Sequence, residues 1–575
     1  MHPPRAAIRT LWSLRVLALA LLVAPPLLSR GAVAVASAEA QPEDRCAPRS
    51  FNDGWRFNVG ENSGAETPGF DDRQWRSVDL PHDWSMDERA GADPAFGAHD
   101  RDTPEGASVG YLRGGVGWYR RHFVVAPEDA GKGVEVRFDG AQQEADLWIN
   151  GRHVAFQPHG YIAFHQDLTP HLNPPGQDNV IVVRTVNPEA NTRWYAGSGL
   201  YRDVSLRIHD LLHVPAWGAR VDTAWLTAEK ALLHVKLDVK NDRPTPADVT
   251  VELSLTAPDG VKSVHALGVL RVGEGARETL SQQLEVTAPQ LWSPAQPALY
   301  RAEFRLMQKG RMVDVCSQSF GIRTVAVSAE NGLLLNGQPI KLKGACLHHD
   351  NGLLGAAAFA TAEDRRVRIM KQNGFNAIRT SHNPPSTAFL DACDRRGMLV
   401  IDEFADQWEL PKKLNGYQRY FARHWAHDLD AMIARDFNHP SVIIWSIGNE
   451  IPERATAAGV EIGRKLASLV HQLDARRPVT NAICAFYDNP QFDGNWDVTA
   501  AAFRVLDIGG YNYLWKNYET DHAKHPARVM AGTDSFPKEA LENWRAVERH
   551  AYVIGDFVWT GMDNLGESGI GHTGL

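Results

Sequence analysis

Cysteine is scarce in this chain of 575 residues: its five cysteines are scattered, and no Cys-x-x-Cys pair occurs. Disulfide scaffolds and structural zinc sites need closely spaced cysteines, so this pattern excludes both. The formal net charge is −9, and lysine and arginine form no long run. A protein that tracks a phosphate backbone needs a basic face, so we expect no nucleic-acid partner.

Long apolar runs are also rare, and the one candidate lies at the start of the chain. Three arginines occur among the first 15 residues, followed by an apolar stretch from Val16 to Leu28 and by Ala36-Ser37-Ala38, which fits a cleavage site. The stretch is shorter than the about 20 residues that a spanning helix needs. We therefore expect a signal peptide over residues 1–40, a secreted or periplasmic protein, and no membrane contact after cleavage. An uncleaved anchor is the alternative.

The composition beyond this segment is globular, with 43% hydrophobic and 22% charged residues, and the length suits about three or four domains. Residues 41–210 contain alternating strands such as Val134 to Phe138 and the hairpin signal Asn150-Gly151, which predict a β-sandwich. Residues 211–325 alternate more regularly, as from Leu233 to Val239, and predict an immunoglobulin-like β-sandwich.

From residue 326 onward short apolar runs alternate with helical stretches, a pattern typical of parallel strands joined by helices. The strand candidates are Ile340–Cys346, Phe375–Thr380, Met398–Phe404, Val442–Ile447, Pro478–Ile483, Asp507–Tyr513, Arg528–Gly532 and Tyr552–Thr560. Eight such strands predict a (β/α)8 TIM barrel over residues 326–575. Only 15 residues follow Thr560, so the barrel looks truncated and we expect imperfect closure. Its first helix is predicted from Thr361 to Asn373, with Thr361 and Asp364 as a capping pair.

Acidic, polar and aromatic residues follow several of these strands, at the barrel end that carries the reacting groups. Hydrolysis of a glycosidic bond needs one carboxylic acid to protonate the leaving oxygen and a second carboxylate at the sugar carbon. Glu450 follows the fourth strand and Asp534 the seventh. We expect these two residues to face each other across the barrel mouth as the catalytic pair. A solvated loop carboxylate for Glu450 and a helix cap for Asp534 are the alternatives.

At these residues the chain resembles glycoside hydrolase family 2, and within it the bacterial β-galactosidases. The segment from Arg193 to Arg202 is similar to the first-domain signature of the family. Three further segments, Lys343 to Asp350, Arg379 to Pro384 and Ser446 to Glu450, are similar to its barrel motifs. The order of sandwich, immunoglobulin-like domain and barrel is also that of the family, which implies that the first sandwich is jelly-roll-like and of the sugar-binding kind. The resemblance implies an exported retaining exo-β-glycosidase that hydrolyses terminal β-D-galactosides by double displacement, with a carbohydrate as its partner.

The resemblance also implies roles for individual residues. Glu450 would act as acid and then as base, and Asp534 would be the nucleophile. The positions that match substrate-binding residues of the family are Asn449 at the 2-hydroxyl of the sugar, His348, His382 and Trp559 elsewhere on the substrate, and Tyr513 beside the nucleophile.

The nucleophile position departs from the family pattern, in which a glutamate is normal, because the motif here reads Gly532-Thr533-Asp534-Ser535. Aspartate is shorter by one methylene, about 1.5 Å, and a displacement near 1 Å costs about 100-fold in rate. We therefore predict a slow retaining enzyme whose turnover rises in Asp534→Glu. The alternatives are a weakly active or non-catalytic carbohydrate-binding relative, and a nucleophile elsewhere, at Glu519 or Glu567.

Substrate choice and metals are less directly encoded. A β-glucuronidase of the family would carry an Asn-x-Lys pair, and the segment after Trp559 lacks that lysine. A β-mannosidase would show a different stretch before its acid residue, so galactosides are favoured over both alternatives. Some family galactosidases hold Mg²⁺ and Na⁺ near the third strand, where Asp402 to Glu409 lacks the glutamate-x-histidine pattern. We predict no cofactor and no catalytic metal, while Mg²⁺ or a single ion at Asp406 stays open. The sequence is compatible with a homo-oligomer.

Overall fold

The computed structural model describes residues 48–87, 98–486 and 494–566. The predicted signal peptide, Cys46 and Glu567 lie outside these residues. Within the described ranges, none of the helices combines the length and the apolar character that crossing a membrane requires.

The first part of the chain folds into two facing antiparallel sheets. One sheet has the strand order β1-β10-β5-β8 and the other β3-β2-β4-β9-β6-β7. Val134, Val136 and Phe138 are buried between them, as their alternation predicted. The strands are β1 (Arg49–Ser50), β2 (Trp55–Val59), β3 (Arg76–Val78), β4 (Gly115–Val124), β5 (Gly133–Phe138), β6 (Ala145–Ile149), β7 (Arg152–Gln157), β8 (Phe164–Asp167), β9 (Asp178–Asn187) and β10 (Val204–His209).

A second sandwich follows, with sheets β11-β13-β12, where β16 also pairs with β13, and β15-β14-β17-β18. Leu233, Val235, Leu237 and Val239 of β13 point into its core while the residues between them are more exposed, which is the period of two expected for a half-buried strand. The strands are β11 (Leu212–His213), β12 (Ala219–Leu226), β13 (Lys230–Asn241), β14 (Ala247–Thr256), β15 (Lys262–Val272), β16 (Arg277–Thr287), β17 (Tyr300–Gln308) and β18 (Arg311–Phe320).

A small sheet of β19 (Val325–Ser328), β20 (Gly332–Leu335) and β21 (Gln338–Ile340) leads into a closed parallel barrel. The barrel strands are β22 (Leu342–Leu347), β23 (Ala377–Thr380), β24 (Leu399–Glu403), β25 (Val442–Asn449), β26 (Val479–Ile483), β27 (Ile508–Asn512), β28 (Val529–Ser535) and β29 (Val553–Val558). The helices of the described residues are α1 (Ala360–Gln372), α2 (Thr387–Arg396), α3 (Gln418–Asp436), α4 (Ala457–Leu473), α5 (Ala500–Phe503), α6 (Tyr518–Lys524) and α7 (Ala540–Arg549).

The predicted fold class is confirmed, since two sandwiches precede a closed (β/α)8-type barrel whose strands overlap all the predicted ones. The expected imperfect closure is wrong. β29 pairs with β22 in register from Leu342–Gly555 to Ala345–Val558, and this pairing uses no residue beyond β29. The capping prediction is also wrong, because α1 begins at Ala360 after the N-cap Phe359, and Asp364 instead pairs with Arg396 of α2.

Candidate active site

Glu450 and Asp534 meet at the C-terminal end of the barrel. The side-chain nitrogen Nδ2 of Asn512, the last residue of β27, donates to Glu450 Oε1 at 3.1 Å and to Asp534 Oδ2 at 2.7 Å. Because the two oxygens share one donor nitrogen, they lie no further apart than the two distances together, 5.8 Å. Both side chains are largely buried, with 8% of Glu450 and 3% of Asp534 exposed. The predicted pair therefore shares one site.

The backbone places Glu450 by an unusual turn. β25 is buried along its whole length, and the chain leaves it at Glu450 with φ of 45°, a left-handed conformation uncommon outside glycine. The Glu450 N–H donates to the Ala482 carbonyl oxygen at 2.7 Å, which ties this turn to the neighbouring strand β26. Backbone conformations of this kind concentrate at functional sites, where the surrounding structure holds them.

Arg379 of β23 connects the groups around the carboxylate pair. Its Nη1 donates to Asp534 Oδ1 at 2.5 Å, and its Nη2 donates to Asn449 Oδ1 and to Glu403, each at 2.8 Å. The guanidinium is fully buried, and its ion pairs with Asp534 and Glu403 outweigh the opposing effect of burial and raise its pKa. Arg379 is therefore a permanent positive charge directly behind Asp534.

The site also perturbs the titration of Asp534. Burial raises its pKa to about 6, helped by the neighbouring Glu450 and opposed by Arg379. The Cys346 thiol lies 3.0 Å from Asp534 Oδ1, and burial raises the pKa of this thiol, so the sulfur stays protonated and donates. Both oxygens of Asp534 thus have donors, and the carboxylate is fixed in place.

Four aromatic rings, those of Trp194, His348, His382 and Trp559, pack against one another near the carboxylates. His382 stacks on Trp559 with centroids 5.1 Å apart and an interplanar angle of 1°. His348 packs against Trp559 at 5.3 Å and against Trp194 of the first sandwich at 4.8 Å. Burial, with the nearby Arg379 charge, lowers the pKa of His382 far below its usual value, so its imidazole is neutral where it contacts Glu403, at 2.8 Å. These rings form apolar walls with polar edges, which suits a sugar ring.

Asp406 extends the site toward the first sandwich. It accepts from Asn449 Nδ2 at 2.9 Å and from Lys412 Nζ at 2.7 Å, and it pairs with Arg193 at 3.1 Å. Burial raises its pKa, but the charges of Arg193 and Lys412 outweigh this and lower the pKa to about 2. Lys412 also donates to the Asn449 carbonyl oxygen at 2.8 Å, directly before Glu450.

A small cavity opens between the first sandwich and the barrel, beside Asp406. Its lining includes Arg193 and Trp194 from the sandwich and His382, Asp406 and Lys412 from the barrel. The sandwich therefore closes one side of the barrel mouth. A pocket closed on one side accepts the end of a chain more readily than its middle.

The residues at the end of β27 lie beside Asp534, as predicted for Tyr513. The backbone N–H of Tyr513 donates to the Asp534 carbonyl oxygen at 2.7 Å, and the side chain of its neighbour Asn512 donates to Asp534 Oδ2. Glu519 lies on α6 at the outer surface, where it pairs with Arg549 and His550, so it is remote from Glu450. Asn512 lies within the predicted strand Asp507–Tyr513 and Arg379 begins the motif Arg379 to Pro384, but the sequence assigned no individual role to either residue.

The sequence left an ion site open at Asp406, at the barrel mouth. Asp406, the one residue considered for an ion, is already paired with two cationic side chains. In the part of the chain that the structure describes, a group of potential ligands occurs at Asp391, Asp394 and His439. Asp394 accepts from the Ser441 N–H just before β25, which places this group at the opposite end of the barrel.

The fold and this site define a TIM-barrel protein of the glycosidase type. Family models agree along the chain: residues 49–210 match the sugar binding domain of glycosyl hydrolases family 2, residues 214–323 match the central model of that family, and residues 325–516 match its TIM barrel domain. The chain belongs to glycosyl hydrolases family 2, which confirms the resemblance found in the sequence.

Individual relatives agree with this assignment. The chain is 34% identical to Beta-galactosidase BoGH2A of Bacteroides ovatus, over 90% of this chain and 68% of that protein. It is 29% identical to a putative beta-glucuronidase of Formosa agariphila, over 92% of this chain and 53% of that protein. A crystal structure of a glycosyl hydrolase family 2 member from Bacteroides cellulosilyticus superposes with a TM-score of 0.86 at 42% identity, covering 90% of this chain and 65% of that one. The chain thus spans between about half and two thirds of the length of these relatives.

Proposed function

We propose that this protein is a retaining exo-β-glycosidase that cleaves terminal β-D-galactosides. The observation that carries the proposal is the bridge from Asn512 to both Glu450 and Asp534. A limit of 5.8 Å between the bridged oxygens agrees with the about 5–5.5 Å of retaining pairs and is below the about 6.5 Å at which inverting pairs begin. The family contains glycosidases, and a β-galactosidase is among the relatives.

The first chemical step follows from the positions of the two carboxylates. Asp534, ionised above pH about 6 and held by Arg379 and Asn512, attacks the anomeric carbon and forms a glycosyl ester. Glu450 in its protonated form gives its proton to the leaving oxygen, so the glycosidic bond breaks as the ester forms. Charge develops on the ring in this step, and Asn449 is placed to strengthen a hydrogen bond to the 2-hydroxyl.

The second step reverses these roles. The carboxylate of Glu450 takes a proton from a water molecule, and the resulting hydroxide attacks the anomeric carbon. The ester bond breaks, Asp534 leaves as a carboxylate, and the sugar departs with its original anomeric configuration. Arg379 stabilises the carboxylate that is released, because its guanidinium stays charged and in contact.

A β-glucuronidase is the second candidate function. The cavity beside His382 is lined by Arg193, Lys412 and Lys413 with Asp406 as the one carboxylate among these charged groups, and a lining of this kind favours an acidic sugar substituent. Against it, the segment after Trp559 carries no Asn-x-Lys pair. β-Mannosidase specificity and a carbohydrate-binding protein without turnover are further alternatives.

Release of nitrophenol from the β-galactoside, β-glucuronide and β-mannoside tests these functions in one assay. We expect turnover of the galactoside to exceed that of the other two, and Glu450→Gln to abolish it. Preference for the glucuronide would replace the proposed specificity. Sugar binding without turnover that depends on Glu450 would support the binding protein instead.

Export is proposed on the sequence of residues 1–40 alone. Expression of the full chain in a bacterial host, followed by fractionation, checks it. We expect a shortened mature protein in the periplasm or medium, and full-length protein retained in the cytoplasm would contradict export.

A further inference from the structure

Cys346 of β22 brings a thiol into contact with the proposed nucleophile, and the mechanism above gives this thiol no part. The residue is fully buried. Its Sγ atom lies 3.0 Å from Asp534 Oδ1 and 3.2 Å from the Thr533 carbonyl oxygen. A thiol has one proton to donate, and an ionised carboxylate is a stronger acceptor than a peptide carbonyl. The thiol proton is therefore directed at Asp534.

The two oxygens of Asp534 have different neighbours. Oδ1 is held by two fully buried side chains, those of Cys346 and of Arg379, whose Nη1 lies 2.5 Å away. Oδ2 instead accepts from Asn512 Nδ2, which also donates to Glu450. Because Glu450 protonates the leaving oxygen in the proposed first step, the anomeric carbon lies on the Glu450 side of Asp534. Oδ2 is therefore the oxygen that faces the sugar.

We propose that Cys346 is a positioning residue for the nucleophile, which holds Oδ1 of Asp534 together with Arg379, so that Oδ2 is the atom that attacks. This inference rests on the proposed function and names the atom that forms the glycosyl ester. As Oδ2 bonds to the anomeric carbon, the bond from that carbon to the leaving oxygen breaks, and the proton of Glu450 moves to the leaving oxygen. Oδ1 becomes the carbonyl oxygen of the ester and keeps both donors, and Cys346 keeps its proton throughout.

The thiol also affects the charge of the nucleophile, because a donated hydrogen bond favours the ionised form of a carboxylate. Burial raises the pKa of Asp534 to about 6, and Arg379 and the Cys346 thiol oppose this rise. The titratable and charged groups around this carboxylate are Cys346 on β22, Arg379 on β23, Glu403 on β24, Glu450 after β25 and Asp556 on β29. Without the thiol proton, the pKa of Asp534 rises further, and less of the nucleophile is ionised at a given pH.

The structure of the trapped intermediate tests which oxygen attacks. A 2-deoxy-2-fluoro-β-galactoside with a good leaving group leaves the glycosyl ester on the wild-type protein, and a crystal structure shows which oxygen carries the sugar. We expect the ester bond at the oxygen next to Asn512, with the other oxygen still within hydrogen-bonding distance of Cys346 and Arg379. A sugar on the oxygen next to Cys346 overturns the inference.

Two substitutions separate the donated proton from the space that the sulfur fills. Cys346→Val fills a similar volume without a donor, whereas Cys346→Ser keeps a donor. With the nitrophenyl β-galactoside, we expect Cys346→Val to lower kcat by about 10-fold, the loss of one hydrogen bond to a charged group. The acid limb of its kcat/KM profile should also move to higher pH. Cys346→Ser should keep the acid limb near its wild-type position and retain more of kcat than Cys346→Val.

Cys393→Val is the matched control, because Cys393 is also a fully buried thiol but lies on α2, outside the site described. It should change thermal stability and leave kcat and the acid limb at their wild-type values. A folded Cys346→Val protein with unaltered kcat and acid limb, or equal losses in Cys346→Val and Cys346→Ser, overturns the positioning role and leaves the glycosidase intact. A wild-type protein that hydrolyses none of the nitrophenyl glycosides overturns the proposed function, and this inference with it.

Discussion

Glu450 and Asp534 accept hydrogen bonds from the same nitrogen atom, Nδ2 of Asn512, although 84 residues separate them in the chain. This shared donor brings one oxygen of each carboxylate close together, which favours the proposed retaining mechanism over an inverting one. In the proposed mechanism an aspartate acts where the family resemblance leads one to expect a glutamate.

Asp534→Glu tests whether the shorter side chain limits the rate. The carboxylate of Asp534 is held back toward Arg379 and Cys346, so an added methylene moves it toward the sugar. We expect kcat to rise by about 10-fold or more, since a displacement near 1 Å changes rates by about 100-fold. Steady-state kinetics on the nitrophenyl galactoside measure this, with Asp534→Asn as the inactive reference.

A turnover that stays flat or falls in a folded Asp534→Glu protein would mean that the aspartate already reaches the anomeric carbon. The contacts of Asp534 with Arg379, Cys346 and Asn512 would then be the adaptation that makes the shorter residue productive.

The pH dependence of kcat/KM should report the titration of Asp534. The nucleophile must be ionised, and burial raises its pKa to about 6, so activity should fall as pH drops through about 6. Arg379 opposes this rise, because its charge favours the ionised carboxylate. Removing the charge in Arg379→Gln should therefore move the acid limb of the profile to higher pH by about 1 unit or more.

Arg379→Lys keeps the positive charge, so it should move the acid limb of the pH profile less than Arg379→Gln does. Comparing the two variants separates the effect of the charge from that of the shape of the guanidinium. Arg395→Gln removes an exposed arginine and serves as the control. Loss of Arg379 also leaves Glu403 and Asp534 buried without their partner, which costs about 3–5 kcal/mol of stability, so thermal unfolding is recorded beside each profile. An acid limb that does not move in a folded Arg379→Gln protein would assign the titration to another group.

Lys412 holds the backbone next to Glu450, the proposed acid–base residue. Its ammonium joins Asp406 to the Asn449 carbonyl oxygen, and Asn449 directly precedes Glu450. We expect Lys412→Met to lower kcat by about 10- to 100-fold, since a small displacement of Glu450 misplaces the proton that it transfers.

Lys371→Met is a close control for this variant. The Lys371 ammonium also bridges two oxygens, the carbonyls of Pro294 and Gly397, but before β24 at the far end of the barrel. It should change thermal stability and leave kcat near the wild-type value. Equal losses of kcat in the two variants would show that Lys412 acts through general stability.

The sequence was sufficient for the fold because each element carries its own periodicity. The alternation in β13 and the apolar run of β25 are local patterns, so short stretches of sequence are enough to predict both strands. The carboxylates that follow strands are predicted in the same way. The failed cap of α1 shows the limit of such local reading: Thr361 and Asp364 have suitable side chains, but the helix already begins at Ala360.

The contacts that make the site work were not readable in this way. Arg379 meets Asp534 across 155 residues of chain, and Lys412 reaches Asn449 from a loop after β24 with no periodicity of its own. Asn512 reaches both carboxylates from the end of β27, and nothing in the alternation of that strand singles it out. Such contacts depend on tertiary packing.

The central claim is that Asp534 forms the covalent bond to the sugar, and trapping tests it most directly. A 2-deoxy-2-fluoro-β-galactoside with a good leaving group slows the second step, so the glycosyl ester accumulates and its peptide is identified by mass spectrometry. We expect a single label on Asp534, and we expect Asp534→Asn to abolish it. A label on another carboxylate such as Glu519, or turnover of the reagent with no ester formed, would contradict it.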